Sequence, residues 1–162
     1  SKALDEIDRS ILEQLQRDAK LTNVELSKRV HLSPSPCLVR VRELEQAGFI
    51  RRYVTLLDPL KLGLGVSVFI QIQLDKQNRR ALDQFEAAMS KHPSVMECYL
   101  MTGDSDYLIR IVVPDVQAVE RFIVEELSKI PAVAHIRSSF ALKQVKYQTA
   151  LPLANQAHHS GA

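Results

Sequence analysis

The chain has 162 residues, of which 46% are hydrophobic and 25% charged, with a formal net charge of +2. That is an ordinary soluble composition for one or two domains, and the charge is too small to imply a partner by itself. No apolar run approaches the ~18 residues of a membrane span, and SKALDEIDRS has no apolar signal core, so a cytoplasmic location is expected.

Leu4 to Arg17 is predicted as a first helix, capped near Asp5, with Ile7, Ile11 and Leu15 on one stripe. Thr22 and Glu25 then have the spacing of a capping box. The short helix after them carries Leu26 and Val30, and His31-Leu32 breaks the pattern. Ser33 is expected to cap the next helix, with Pro34 at its first position, where a missing N–H costs nothing. Cys37, Val41 and Leu44 share the buried face of that helix, and Gly48 ends it. Ile50 to Leu57 reads as a strand that Asp58-Pro59 closes, and Gly63-Leu64-Gly65 marks a second hinge.

Past the hinge the period becomes two. Val66, Val68, Ile70, Ile72 and Leu74 alternate with Ser67, Phe69, Gln71 and Gln73, as in a strand with one apolar and one mixed face. Asn78 to Lys91 is predicted helical, Val95 to Met101 and Tyr107 to Val113 are strands, Pro114-Asp115 opens another helix, and Ile136 to Tyr147 is a fourth strand. Lys91-His92-Pro93-Ser94-Val95 is echoed by Lys129-Ile130-Pro131-Ala132-Val133, each ending a helix and starting a strand. Duplicated halves in this order give a ferredoxin-like βαββαβ sandwich. Its helices cover one sheet face, so a second copy is expected to cover the other.

The fold class expected is α+β: an N-terminal three-helix domain over 1–57, a linker at 58–65, a ferredoxin-like domain over 66–151 and a disordered tail at 152–162. Cys37 and Cys98 lie in different segments, outside any Cys-x-x-Cys pair. They are expected to be buried thiols, not a disulfide or a zinc site. The histidines show no ligand spacing, and no phosphate loop, nucleophile elbow or dinucleotide turn appears. Neither an enzyme, a cofactor nor a metal is expected.

The helix after Ser33 suggests a task. Opposite its buried face lie Ser35, Val39, Arg42 and Gln46, with Pro36 and Arg40 on the flanks. Lys28, Arg29, Arg51 and Arg52 add positive charge around it, and all the excess positive charge of the chain lies before Leu64. Such a helix can enter a major groove, its arginines pairing with guanine edges or phosphates and Ser33 and Ser35 donating to phosphate. A solvated amphipathic helix pair would show the same pattern.

Taken together, the residues from Leu4 to Pro152 resemble the Lrp/AsnC, or feast/famine, family. The markers are Leu4-Asp5-x-x-Asp8-x-x-Ile11-Leu12, Leu32-Ser33-x-Ser35-Pro36-Cys37-x-x-Arg40-Val41, Leu44-Glu45-x-x-Gly48-x-Ile50 and Gly103-Asp104-x-Asp106-Tyr107. Ser27 stands where the family often has alanine. The resemblance implies a winged helix-turn-helix, a ligand-sensing and oligomerising domain of ferredoxin-like fold, and dimers that associate further, often to octamers. It also implies transcriptional control in response to amino acids. The residues put forward for DNA are Thr22, Lys28, Ser33, Ser35, Pro36, Val39, Arg40, Arg42 and Arg51.

The loop at 103–107 is, on residues alone, what a plain hairpin turn requires. It also has what an α-amino acid needs. N–H groups near Gly103 can hold a carboxylate, Asp104 or Asp106 can hold the ammonium, and Leu100, Met101 and Tyr107 can line an apolar pocket, favouring leucine or methionine. The resemblance adds Thr102 to this set and puts the site at a subunit interface, with Ser138 and Ser139 facing it. Two other readings stay open: an architectural DNA-wrapping protein with little ligand control, and a ferredoxin-like regulatory protein that does not bind DNA.

Overall fold

The computed structural model describes residues 2–153. They form two compact units, 2–56 with 146–153 and 57–145.

The first unit is built on α1 (Glu6–Arg17), α2 (Asn23–Arg29) and α3 (Pro34–Gln46). Helices α1 and α2 each start with a capping box. In α1 the Asp8 N–H donates to Asp5 Oδ1 at 2.8 Å and the Asp5 N–H to Asp8 Oδ2 at 3.4 Å. In α2 the Glu25 N–H donates to Thr22 Oγ1 at 3.2 Å and the Thr22 N–H to Glu25 Oε2 at 2.8 Å, which satisfies donors a helix start leaves free. Ile11, Leu12, Leu26, Val30, Cys37 and Leu44 form the buried core. His31 turns the chain between α2 and α3 with φ 57. Gly48, at φ 81, ends α3: its N–H reaches Glu45 O at 3.1 Å and the Phe49 N–H reaches Leu44 O at 3.0 Å, a Schellman pair. Ser27 is buried, and its hydroxyl donates to the Val24 carbonyl at 2.7 Å.

Several expectations are corrected here. Ser33 precedes α3, but its side chain makes no capping bond. Residues 50–57 form no strand. They run as coil with Tyr53, Val54, Leu56 and Leu57 exposed, because strand-forming residues alone make no ladder without a partner strand. The segment before the tail is also tied down. Gln16 Nε2 donates to Leu151 O at 3.0 Å, and Leu153 packs on the helical core, so residues 146–153 belong to the first unit. The rest of the expected tail, 154–162, lies outside the described residues.

The second unit is a four-stranded antiparallel sheet in the order β2-β3-β1-β4. Its strands are β1 (Val66–Leu74), β2 (Val95–Leu100), β3 (Tyr107–Val113) and β4 (Val133–Phe140). Helix α4 (Arg79–Lys91) links β1 to β2. Helix α5 (Val116–Arg121) precedes β4 and widens to π geometry over Phe122–Leu127, where the Ser128 N–H and hydroxyl both donate to Ile123 O at 2.9 Å. Val68, Ile70, Ile72 and Leu74 meet Tyr107, Ile109, Ile111 and Val113 under Phe85, Met89, Val119 and Phe122. The fourth strand starts and ends earlier than the expected Ile136 to Tyr147. After Phe140 the chain is coil, with Leu142 and Val145 exposed.

The opposite sheet face is open. Register puts Phe69 beside Arg110 and Ser139, and Tyr99 beside Leu108. Phe69 is 39% and Tyr99 51% exposed. Cys37 is buried as expected, whereas Cys98 is exposed.

Candidate functional site

Two surfaces hold the residues singled out by sequence. On the first unit, Ser33, Ser35, Pro36, Val39 and Arg42 are exposed along α3, and Thr22, Lys28, Arg29 and Arg51 are exposed around it. Ser35, Val39 and Arg42 repeat at helical spacing, so they present one face. The Ser33 side chain is exposed and makes no capping bond. Asn23 Nδ2 donates to Pro34 O at 2.8 Å and ties the first turns of the two helices together.

Arg40 does not share that face. Its Nη1 lies 2.6 Å from Asp5 Oδ2 and 3.1 Å from Asp8 Oδ1. The Asp8 side chain is 2% exposed, and Lys2 Nζ approaches it to 3.7 Å while bonding Glu43 Oε2 at 2.7 Å. The Arg40 guanidinium beside Asp5 holds that carboxyl below the usual carboxylate range, and Asp5 raises Arg40 in return. The signal was present in sequence: Arg40 falls between Cys37 and Leu44 at i+3 and i+7 of the buried stripe. An arginine there needs a carboxylate partner.

On the second unit, Leu100, Met101, Thr102, Gly103 and Asp104 are exposed between β2 and β3. Gly103 has φ 104, a conformation that side chains other than hydrogen rarely adopt. Asp106 and Tyr107, expected in the same pocket, point elsewhere. Asp106 is buried: Oδ2 accepts the Leu74 N–H at 2.6 Å and Oδ1 accepts Gln77 Nε2 at 2.5 Å. Its own carbonyl accepts the Met101 N–H at 2.8 Å. It therefore clamps the base of the loop to the end of β1, and the ammonium role expected of it is corrected. Tyr107 lies in the core against Phe85, with ring centroids 4.4 Å apart, and its hydroxyl donates to Glu86 Oε1 at 2.7 Å. Burial, then that carboxylate, pushes the phenol well above its ordinary range. Ser138 and Ser139 are both exposed on β4 but on opposite faces: Ser138 pairs with inward Ile70, and Ser139 with Phe69 on the open face. Gln77, which the sequence reading did not single out, carries no motif that would have revealed it.

A helix-turn-helix unit whose second helix exposes Ser35, Val39 and Arg42, followed by a ferredoxin-like unit, defines a two-part DNA-binding regulator. A family model described as winged helix-turn-helix DNA-binding matches residues 4–51, and one described as Lrp/AsnC ligand binding domain matches residues 67–151. The leucine-responsive regulatory protein of Salmonella typhimurium is 45% identical over 150 residues, spanning 93% of this chain and 92% of that protein. The crystal structure of a Neisseria meningitidis transcriptional regulator in complex with L-Met is similar at TM-score 0.90 and 42% identity, covering 94% of this chain and 98% of that one. An AsnC family regulator from Agrobacterium tumefaciens gives TM-score 0.88 at 43% identity, covering 93% and 97%. The chain belongs to the Lrp/AsnC family of transcriptional regulators, and it is a regulator, not an enzyme. Among the described residues no helix is long and apolar enough to cross a membrane.

Proposed function

We propose that this DNA-binding transcriptional regulator takes an α-amino acid with an aliphatic or thioether side chain at the 100–104 loop, and that occupancy alters its assembly or its DNA affinity. The observation that carries the reading is the loop itself. Gly103 lies in an exposed turn at φ 104, whose backbone N–H groups suit a carboxylate, and Asp104 offers an exposed carboxylate for the ammonium. Leu100 and Met101, 61% and 44% exposed, offer an apolar wall. The leucine-responsive relatives and the L-Met complex of the similar Neisseria regulator support this class of ligand.

On the DNA side, Ser35, Pro36, Val39 and Arg42 enter the major groove, while Ser33, Lys28, Arg51 and Thr22 approach phosphates. The open sheet face pairs with a second copy, and dimers associate further. Titration calorimetry with leucine and methionine tests the ligand. Micromolar to millimolar binding that Asp104→Asn weakens at least tenfold is expected. Binding by neither amino acid at millimolar concentration overturns the reading, and binding that Asp104→Asn leaves unchanged moves the site away from this loop.

A further inference from the structure

Helix α3 has little apolar hold on its unit. Of its residues only Cys37 and Leu44 are buried, with Val41 partly buried beside them, so the apolar contacts form a narrow strip down one side of the helix. A narrow strip of small contacts fixes the distance of a helix from its neighbours better than its rotation about its own axis. Rotation is what decides which side chains reach base edges.

Arg40 flanks that strip, one turn from Cys37 and one from Leu44. Its guanidinium bridges Asp5, the N-cap of α1, and Asp8, the third residue of the same capping box. Lys2 adds a second strut, from Glu43 on α3 to Asp8. Charges alternate along the set, so each carboxylate has a cationic partner and each cation a carboxylate. The planar guanidinium fork has few orientations in which it meets both aspartates, so the contact is sensitive to rotation of α3. We infer that Arg40 is a positioning residue: with Asp5 and Asp8 it sets the rotation of the recognition helix, and it contributes to operator recognition without touching DNA. The inference rests on α3 being the helix that enters the groove.

The experiment uses the full chain and a duplex selected by the wild type from a random DNA pool, with affinity measured over a salt series well below the melting temperature. Asp5→Asn is the informative variant, since asparagine caps a helix as well as aspartate but removes the charge opposite Arg40. It is expected to weaken operator binding roughly three- to tenfold, and Arg40→Ala tenfold or more, with Arg40→Lys recovering part of the loss. The double variant Asp5→Asn, Arg40→Ala is expected to bind no more weakly than Arg40→Ala alone. All variants keep the wild-type slope of log affinity against log salt, because no phosphate contact is lost. A change of fold alone would also lower non-specific binding, which is expected to stay within about twofold. Wild-type affinity in Asp5→Asn, together with a slope about one unit shallower in Arg40→Ala, would make Arg40 a direct DNA contact and overturn the inference. Independent, multiplying losses in the double variant would overturn it too. A wild-type chain that selects no duplex removes α3 from the groove, and this inference with it.

Discussion

Asp104 and Asp106 stand in one loop and have different tasks. Asp106 is buried with both oxygens holding donors, so replacing it by asparagine turns an amide NH2 against one of them. Asp106→Asn is expected to cost about 1–3 kcal/mol in thermal unfolding, the penalty for an unpaired buried donor, while Asp104→Asn stays within about 0.5 kcal/mol. Equal melting temperatures for the two variants would remove the clamp. Asp5 supplies a pH test. Arg40 holds its carboxyl below the ordinary 3.8, so the folded state favours the ionised form. That contribution is complete above the unfolded value and is lost as pH falls below it through the lower folded one. Thermal melts over this range are expected to show a shallower acid loss in Asp5→Asn than in the wild type; identical profiles would mean the ion pair is not held in solution. Sequence reading identified residue types at both places and misjudged their direction. A helical wheel centred on Cys37, Val41 and Leu44 leaves Arg40 at the margin, and only the partner on α1 decides which way it turns. The partners of Asp106 lie over 25 residues away in sequence, beyond any local pattern.

Elements were more legible than their ends. Caps are local chemistry, so Thr22 with Glu25, and Asp5 with Asp8, announce two helix starts. Strands β1 and β3 follow from period two. Residues 50–57 and 141–147 also carry strand-forming residues such as Tyr53, Val54, Val145 and Tyr147 and form no strand, since pairing is a property of two segments. Ser33 looks like a cap and makes no capping bond. The turn between α2 and α3 hangs on a conformation that the sequence does not advertise: His31 at φ 57, where glycine would be the usual choice. The left-handed conformation costs an ordinary L-residue about 1–2 kcal/mol, and a β-branched side chain tolerates it worst. His31→Val is therefore expected to lower stability by about that much and to weaken DNA binding, because the turn sets the angle between the helices; His31→Gly is expected to bind as the wild type does. A His31→Val protein with unchanged melting temperature would mean that the turn readily adopts another conformation.

At the scale of the molecule, the sheet is finished on one face only. Helices α4 and α5 bury Phe85, Met89, Val119 and Phe122 against it, and the other face carries Phe69 and Tyr99 in the open beside Leu108 and Val112. Arg110, bound to Glu97 at 2.9 Å, is an ion pair in that surface whose charge is already met, while Arg137 stands exposed on the same face opposite Gln71. A two-fold interface brings the same patch from both copies together, so one substitution acts twice and a new charge meets its own image. Phe69→Glu in the full chain is accordingly expected to shift the wild-type assembly toward monomer at micromolar concentration, by sedimentation velocity. Unfolding of the sheet unit should change little, since Phe69 is not part of its core. The side chain also pairs across β1 with Ser139, placing that residue at the proposed contact and Ser138 on the other side. If ligand binding and assembly are coupled, each changes the other's equilibrium by the same factor, typically 5- to 150-fold. Phe69→Glu should then weaken amino-acid binding although Phe69 lies outside the 100–104 loop. Weakened assembly with unchanged ligand affinity would separate the two processes, and a Phe69→Glu protein that sediments like the wild type would show that copies meet elsewhere.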